Sequence, residues 1–201
     1  ISGKILGFGG RVLDSRTKGI AQKYVNSPES EIYSKRRELY GIYQAKSAIV
    51  KYDNVYMVEG YTDIIAMHQC GLENVVANSG TALSEEQIRL LHRFTSNITL
   101  IYDGDEAGIK AAMRGTDMLL SEGMNVKVLL LPDGDDPDSF SRKHSAEELK
   151  RYIEEHAYTD VDILVAFSGS VKDGGGGEQT PEAHVLRAPG FGFRLLKQVV
   201  G

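Results

Sequence analysis

The chain has 201 residues, of which 41% are hydrophobic and 25% are charged, and its formal net charge is −5. This length allows one well-buried domain, or one domain and part of another. The sequence has no apolar stretch near the roughly 18 residues of a membrane span, no signal-peptide pattern and a single cysteine. Within this stretch these features exclude a membrane-spanning helix, an intrachain disulfide and a multi-cysteine zinc site. A single cysteine fits a reducing, cytoplasmic compartment, and the missing initiator Met suggests an internal part of a longer protein.

The first predicted unit, residues 1–52, is basic, with ten Lys or Arg against four Asp or Glu. Residues 4–13 include the run Gly-Phe-Gly-Gly and predict a β-turn-β element, whereas residues 35–50 predict a basic amphipathic helix. We interpret this unit as the C-terminal part of a basic α+β subdomain. A basic unit ahead of an acidic one is typical of a protein that binds a polyanion and acts on phosphate, although drift of surface charge explains it equally well.

The second predicted unit, residues 53–160, is acidic, with nine Lys or Arg against twenty Asp or Glu. Ser84 with Gln87, and Ser145, are typical of helix starts, and Gly123 is typical of a helix end. Strands separated by helices of this length indicate right-handed βαβ units, so we predict an α/β fold with a parallel sheet of about four strands flanked by helices. The strands are predicted at residues 55–58, 75–77, 98–102 and 126–131, and the helices at residues 61–70, 84–94, 106–122 and 146–156.

The last predicted unit, residues 161–201, has balanced charge, with four Lys or Arg against four Asp or Glu. It contains a glycine run at 174–177 and shows no clear hydrophobic periodicity. We interpret it as a linker or an atypical tail and assign it no chemistry.

Three pairs of acidic residues follow three of the predicted strands. In an open parallel sheet the carboxyl ends of the strands meet at one edge, so acids at three strand ends converge although they are far apart in sequence. Converging carboxylates repel each other and need a cation, and ligand sets made only of oxygen favour Mg²⁺ or Mn²⁺ over zinc or copper. The pattern therefore predicts metal-assisted chemistry on phosphates. The six acids are Glu59 and Asp63, Asp103 and Asp105, and Asp136 and Asp138.

Several of these acids also have simpler explanations. Asp63 lies in the first turn of a predicted helix, where a carboxylate stabilises the helix dipole, and this explanation is as good as a role in a site. Asp105 can be an ordinary N-cap, and the acidic run at 133–138 can be a solvated loop. That run does not have the spacing of an EF-hand calcium loop. Glu59 has no such alternative, because it ends a buried apolar run.

Five motifs occur in order along the chain: FGGR at 8–11, KYVNSPE at 23–29, EGYTD at 59–63, YDGD at 102–105 and PDGDDPD at 132–138. Together they resemble the motifs of the bacterial DnaG-type DNA primases, in the catalytic RNA polymerase domain that contains the TOPRIM fold. The resemblance covers about residues 1–160, and topoisomerases, which share the TOPRIM fold, lack the first two motifs. It implies a TOPRIM-type catalytic domain at residues 53–160, preceded by part of the basic N-terminal subdomain of the primase core at residues 1–52.

The resemblance also implies a function, which is template-directed synthesis of an RNA primer on single-stranded DNA. The expected chemistry is nucleotidyl transfer from ribonucleoside triphosphates, dependent on Mg²⁺ or Mn²⁺. On this resemblance Glu59, Asp103 and Asp105 are catalytic, and all six acids contribute to metal binding. The positions expected to contact DNA or nucleotide are Arg11, Lys23, Asn26 and Lys35.

The expected surroundings of such a protein follow from the same resemblance. Zinc is expected only in a separate N-terminal domain, and contact with the replicative helicase is expected through a separate C-terminal domain. The expected location is the cytoplasm, at the nucleoid and the replication fork.

Other functions stay open on the sequence alone. A topoisomerase-like DNA cleavage module would need a nucleophilic tyrosine on a separate domain, and a non-catalytic TOPRIM module that binds nucleic acid would not need so many acids. A receiver-type phosphorylation domain also has acids at strand ends, but the lysine expected after a later strand is missing. Tyr61 and Tyr102, which lie beside the acids, either stack on a base or pack in the core.

Overall fold

A computed structural model of the protein describes residues 1–11, 24–78, 82–132, 135–159, 184–187 and 194–197; for Arg11, Tyr24 and the last two ranges only the backbone is described. The strands are β1 (Gly9–Arg11), β2 (Tyr24–Asn26), β3 (Val55–Val58), β4 (Val75–Ala77), β5 (Asn97–Tyr102), β6 (Asn125–Leu130), β7 (Tyr158–Thr159), β8 (His184–Arg187) and β9 (Arg194–Lys197). The helices are α1 (Ile42–Tyr52), α2 (Tyr61–Cys70), α3 (Glu85–His92), α4 (Glu106–Ser121), α5 (Pro137–Lys143) and α6 (Ala146–His156). Within these ranges no helix is long and apolar enough to cross a membrane.

A five-stranded sheet forms the centre of the fold, in the order β4-β3-β5-β6-β7. β3 is parallel to β4 and to β5, and β5 is parallel to β6, so the four predicted strands form the predicted parallel sheet. β7 adds an antiparallel edge strand next to β6. This strand was not predicted, because its two residues carry no periodic signal and its pairing is entirely long-range.

Helices cover both faces of the sheet. α1, α3 and α4 cover one face with an apolar cluster that includes Ile49 and Leu119. α2, α5 and α6 cover the other face with a cluster that includes Met67 and Ile153. Strands that are buried on both faces need continuous apolar sequence, which explains the unbroken apolar runs from which the strands were predicted. Each fully buried aliphatic side chain contributes about 1.5–3 kcal/mol to folding.

The capping residues predicted at the starts of α3 and α6 and at the end of α4 are confirmed. The Ser84 Oγ accepts a hydrogen bond from the Gln87 N–H at 3.2 Å, and the Gln87 Oε1 accepts one from the Ser84 N–H at 3.1 Å. Ser145 and Glu148 form the same reciprocal cap at the start of α6. Gly123 follows α4 with a φ of +78°, a conformation that glycine adopts without strain.

The helix predicted over residues 35–50 is wrong at its start, because α1 begins only at Ile42. Before it, Tyr40 pairs with Ala77 of β4 through two backbone hydrogen bonds of 2.9 and 3.1 Å. Gly41 then turns the chain into the helix with a φ of +85°. Pairing with a distant strand therefore replaces the local helical pattern.

Side chains at the start of α3 and at its N-cap also hold the segment before α1 in a non-helical form. The Nε2 of Gln87 donates to the carbonyl oxygens of Lys35 and Glu38 at 3.0 and 2.9 Å. The Oγ of Ser84 donates to the carbonyl oxygen of Arg36 at 2.5 Å. Three carbonyls that a helix would use are thus bonded to side chains near the start of α3. These bonds tie the basic segment (residues 1–52) to the α/β unit (residues 53–160).

The β-turn-β element predicted over residues 4–13 is wrong for its described part, residues 4–11. Gly9 and Gly10 lie inside β1, which pairs antiparallel with β2, and residues 4–8 form no strand. A Cβ atom at Gly9 would lie 2.5 Å from the ring of Tyr61. Glycine is therefore needed here for a close approach of strand to ring rather than for a turn.

α5 occupies the end of the acidic run, where no helix was predicted. Its N-cap is Asp136, whose Oδ1 accepts a hydrogen bond from the Ser139 N–H at 2.7 Å. Pro137 is the first helical residue, a position at which its missing N–H costs nothing. The solvated-loop alternative is thus wrong for this part of the run.

One asparagine stands at the amino end of each parallel strand. Asn54 precedes β3, Asn74 precedes β4, and Asn97 and Asn125 begin β5 and β6. The Asn74 Nδ2 donates to the Asn54 carbonyl at 2.8 Å, and the Asn125 Nδ2 donates to the Asn97 Oδ1 at 2.8 Å. The Asn97 Nδ2 donates to the carbonyl of Asp53 at 2.9 Å. These side-chain amides join neighbouring strands at the edge opposite the acidic residues.

Candidate metal and nucleotide site

The six predicted acids lie at the carboxyl ends of β3, β5 and β6, which are adjacent in the sheet. α2, which follows β3, covers one face of the sheet, and α4, which follows β5, covers the other. The topology therefore predicts a crevice between the ends of β3 and β5, which is where ligands of α/β proteins bind. The acids are Glu59 after β3 and Asp63 in the first turn of α2, Asp103 and Asp105 between β5 and α4, and Asp136 and Asp138 at the start of α5.

Glu59 is surrounded by negative charge from other elements. Although its side chain reaches the surface, partial burial raises the pKa of its carboxyl, and the charges of Asp103, Asp63 and Asp105 raise this pKa further. Acids from β3, α2 and the β5–α4 connection thus act on one another electrostatically. The convergence that the strand-end pattern predicts is present in the structure.

Asp63 is the most buried of the six acids, with 8% of the residue exposed. Burial raises the pKa of Asp63 to about 6. The Gly60 N–H, which donates to Oδ2 at 2.9 Å, opposes this rise, whereas the charges of Asp136, Asp103 and Asp138 add to it. Asp63 therefore both caps α2 and faces the acids of the other two strand ends.

Asp105 and Gly108 fix the backbone of the acidic connection after β5. The Asp105 Oδ1 accepts a hydrogen bond from the Gly108 N–H at 2.7 Å, so Asp105 is the N-cap of α4, as the simpler explanation proposed. A Cβ atom at Gly108 would lie only 2.2 Å from the carbonyl oxygen of Asp103. The first turn of α4 is therefore packed directly against the backbone that carries Asp103.

Asp138 forms an ion pair within its own helix. Its Oδ1 lies 2.6 Å from the Arg142 Nε and its Oδ2 lies 3.2 Å from the Arg142 Nη2, so the contact is bidentate. Asp135, just before the helix, pairs in a similar way with Lys143 at 2.5 Å and accepts a hydrogen bond from Ser139. The basic end of α5 thus folds back on the acidic residues at its start.

The donor set suits a hard divalent cation, since it consists of carboxylate oxygens that repel one another. Among the described residues, however, no group of three or more His, Cys, Asp or Glu side chains is arranged to hold a metal ion. Four of the acids are already engaged in local bonds, since Asp63, Asp105 and Asp136 each cap a helix and Asp138 pairs with Arg142. Binding of a cation would require some of these bonds to be exchanged.

The four predicted nucleic-acid contacts lie in the basic segment. Lys23 falls outside the described residues, and for Arg11 only the backbone, in β1, is described. Asn26 and Lys35 line one cavity of about 550 Å³, which Tyr61 of α2 also lines. Since Tyr61 stands two residues before Asp63, this cavity connects the basic segment with the helix that carries an acid of the site.

Both tyrosines beside the acids pack inside the protein. Tyr61 is buried and meets the ring of Tyr40 edge to face, with 4.6 Å between the ring centroids. Tyr102 is also buried, and burial together with the charge of Glu59 raises the pKa of its phenol to about 12. In this structure their contacts are those of core residues.

Two residues of the site escaped the sequence analysis. Arg142 stands four residues after Asp138, and this spacing on a helix is the signal that could have found it. Gly108 lies in the first turn of α4, where a glycine lowers helix stability and so indicates a close contact.

Comparison with known proteins gives two family matches that follow this division of the chain. Residues 56–141, which contain all six acids, match the Toprim-like family. Residues 1–46, which contain the four predicted nucleic-acid contacts, match the N-terminal domain of the DNA primase catalytic core. The DNA primase of Clostridium acetobutylicum is 46% identical over 164 residues, which are 81% of this chain and 26% of that protein. This chain belongs to the DnaG-type primase family.

Solved structures of this primase family share the fold. A DNA primase domain from Pseudomonas aeruginosa is 38% identical, with a TM-score of 0.75 over 85% of this chain and 52% of that one. A DnaG primase catalytic domain bound to single-stranded DNA is 37% identical, with a TM-score of 0.72 over 84% of this chain and 53% of that one.

The chain spans 24 to 30% of the length of the curated DNA primases that it matches. Some of these matches cover 96 to 99% of this chain, so they extend into residues 161–201. The boundaries assigned to the three units remain predictions.

Proposed function

We propose that this chain carries the nucleotidyl-transfer centre of a DNA primase, which synthesises an RNA primer on a single-stranded DNA template. One observation carries the proposal: the acids that follow β3, β5 and β6 stand at the carboxyl ends of three adjacent parallel strands. Burial raises the pKa of Glu59 and of Asp63, and the charges of acids from the other strand ends add to both rises. Six acids held at one sheet edge by three strands suit phosphoryl transfer better than binding alone. The family membership agrees with this choice.

The proposed reaction joins a ribonucleoside triphosphate to the growing primer. The primer's 3′-hydroxyl oxygen forms a bond with the α-phosphorus, the bond from that phosphorus to the bridging oxygen breaks, and pyrophosphate leaves. The hydroxyl proton passes to a base. Such a transfer depends mainly on positioning and on stabilisation of charge, and bound Mg²⁺ or Mn²⁺ supplies the positive charge for the phosphates.

The acids have separate tasks in this proposal. We assign Glu59, Asp103 and Asp105, which flank the crevice between β3 and β5, to the reacting centre. Glu59 is the proposed proton acceptor, because its exposed carboxylate follows β3 directly and lies beside the β5–α4 connection. Asp63, Asp136 and Asp138 would complete the metal-binding set from α2 and α5.

The basic segment is the proposed path of the template and the nucleotide. Its residues are Arg11, Lys23, Asn26 and Lys35, of which the last two share the cavity that reaches Tyr61. The excess of positive charge in residues 1–52 would attract the phosphate backbone without regard to sequence. A solved relative, a DnaG primase catalytic domain, is bound to single-stranded DNA, which supports DNA binding by this part of the protein.

The wider setting is part of the same proposal. Ribonucleoside triphosphates and the RNA primer are the expected small and large substrates. A replicative helicase and a structural zinc would be bound by other domains of the parent protein, and the protein would act in the cytoplasm at the replication fork.

The test measures primer synthesis by the full-length protein with a DNA template, ribonucleotides and Mg²⁺ or Mn²⁺. In the variant D103N/D105N the side-chain oxygen at position 105 still caps α4, so the fold is retained. We expect at least a ~100-fold loss of primer synthesis, which is typical when a group that stabilises transition-state charge is removed. Binding of single-stranded DNA should persist.

The matched control is Asp117→Asn, which removes an exposed acid near the other end of α4 and should leave synthesis unchanged. Primer synthesis that persisted in D103N/D105N would contradict the proposal. The non-catalytic nucleic-acid-binding module would then be the better description.

A further inference from the structure

The carboxylate of Asp138 is largely covered and is paired with a cation of its own helix. Its side chain is only 16% exposed, whereas that of Arg142, which binds both of its oxygens, is 72% exposed. The Arg142 Nε lies 2.6 Å from Oδ1 and the Nη2 lies 3.2 Å from Oδ2. A planar guanidinium that engages both oxygens leaves little room for another cation on the same carboxylate.

The same carboxylate faces the acidic edge. Its charge contributes to the raised pKa of Asp63, so the two acids act on each other across the gap between α2 and α5. α2 and α5 also share an apolar core, in which Met67 and Phe140 are buried. Asp138 therefore belongs to the set of converging acids, and it has a basic partner of its own helix.

We propose that Arg142 is an internal counter-ion of Asp138 that a divalent cation must displace when it binds at the acidic edge. This inference rests on the proposed function, since it assumes that Asp138 is a metal ligand. Without metal, the guanidinium compensates the charge of Asp138 and limits repulsion with Asp63. With metal, at least one Asp138 oxygen would exchange its hydrogen bond from Arg142 for the cation, so the ion pair would open. Arg142 is thus a positioning residue that sets the metal concentration at which this part of the site fills.

Lys143 provides an internal comparison for Arg142. It is adjacent in sequence, carries the same charge and is also largely exposed, but it pairs with Asp135. Asp135 lies outside the proposed metal-binding set, and its Oδ1 also accepts a hydrogen bond from the Ser139 hydroxyl. Replacement of Lys143 by glutamine removes one positive charge from the same end of α5, but leaves Asp138 paired with Arg142.

The experiment is a Mn²⁺ titration of the metal-free full-length protein, followed by electron paramagnetic resonance, which counts bound ions without any need for activity. We expect Arg142→Gln to tighten Mn²⁺ binding at one site about two- to fivefold, which is the range that an exposed ion pair allows. Lys143→Gln should change the affinity by much less. Because Arg142 is exposed, both variants should fold, and thermal unfolding checks this.

A double-mutant cycle with Asp138→Asn decides whether the effect passes through this carboxylate. The effect of Arg142→Gln should disappear in the Asp138→Asn background. The inference would be overturned if Lys143→Gln tightened Mn²⁺ binding as much as Arg142→Gln does, or if Arg142→Gln still tightened it in the Asp138→Asn background. Either result would mean that only the loss of a positive charge matters. Unchanged or weaker binding by Arg142→Gln would also overturn it. A wild-type protein that bound no Mn²⁺ would instead contradict the proposed function itself.

Discussion

A Cβ atom added to Gly108 in the first turn of α4 would lie 2.2 Å from the carbonyl oxygen of Asp103. A Cβ atom cannot lie this close to a carbonyl oxygen, so the backbone of Gly108 or of Asp103 would have to move. The position of Asp103 at the acidic edge thus depends on the absence of a side chain five residues later.

Gly108→Ala should therefore displace the Asp103 backbone, lower the midpoint of thermal unfolding and weaken Mn²⁺ binding and primer synthesis together. Gly115→Ala on the same helix is the matched control, because its Cβ would meet side-chain ends and no backbone: the Leu100 Cδ1 at 3.3 Å and the Tyr102 hydroxyl at 3.8 Å. Alanine also favours the helix by about 1 kcal/mol, so this control should be close to wild type or more stable. Equal behaviour of the two variants would contradict the close-contact explanation.

Gln87 should be one of the main links between the basic segment and the α/β unit, since it is fully buried and binds the carbonyls of Lys35 and Glu38. Gln87→Leu leaves both carbonyls without this donor and removes half of the cap of α3. We expect a loss of about 2–4 kcal/mol in the free energy of unfolding, measured with urea. Ser145→Ala, which breaks the exposed cap of α6, should cost only about 1 kcal/mol. A smaller loss for Gln87→Leu than for Ser145→Ala would contradict this role.

Asp63 should make the metal-free protein less stable as the pH rises. Its pKa is about 6 in the folded protein, above the 3.8 of an ordinary aspartate, so the folded state binds more protons between these values. The stabilisation that this proton binding provides is complete below pH 3.8 and is lost as the pH rises through 6. At pH 7.5 without metal, Asp63→Asn should be more stable than wild type by up to about 3 kcal/mol, since Asn retains an acceptor for the Gly60 N–H. Mg²⁺ should reduce this gap, and a variant less stable than wild type in chelator at pH 7.5 would contradict the prediction.

Binding of single-stranded DNA should depend on Arg11 and Lys35 and should weaken with salt. Arg11→Gln and Lys35→Gln are each expected to raise the Kd about two- to fivefold and to reduce the slope of log Kd against log salt by about 0.7, the value for one phosphate contact. Lys127→Gln is the control, since Lys127 is exposed on β6 near the opposite edge of the sheet. A salt slope that stayed at the wild-type value would remove these residues from the DNA path.

Sequence alone predicts the elements whose signals are local. The strands follow from apolar runs that are buried on both faces, and the start of α3 follows from Ser84 and Gln87. The common edge of the six acids follows from the geometry of parallel strands, because the strands that they follow are neighbours in the sheet.

The remaining features depend on contacts between distant segments. Nothing near residue 35 indicates that its carbonyl accepts a hydrogen bond from Gln87, 52 residues later, and this contact delays the start of α1. β7 exists only through its pairing with β6. α5 is a different case, because Asp136 before Pro137 is a local helix-start signal that the density of acids obscured.

The asparagines at the amino edge of the sheet have a consequence for how long the folded state persists. Their hydrogen bonds join residues that are 20, 44 and 28 positions apart, so they form only after the strands have assembled. Interactions that form late in folding slow unfolding and have little effect on the folding rate. We therefore expect this edge to lengthen the lifetime of the native state, and so to keep the distant acidic edge assembled between rare openings of the sheet.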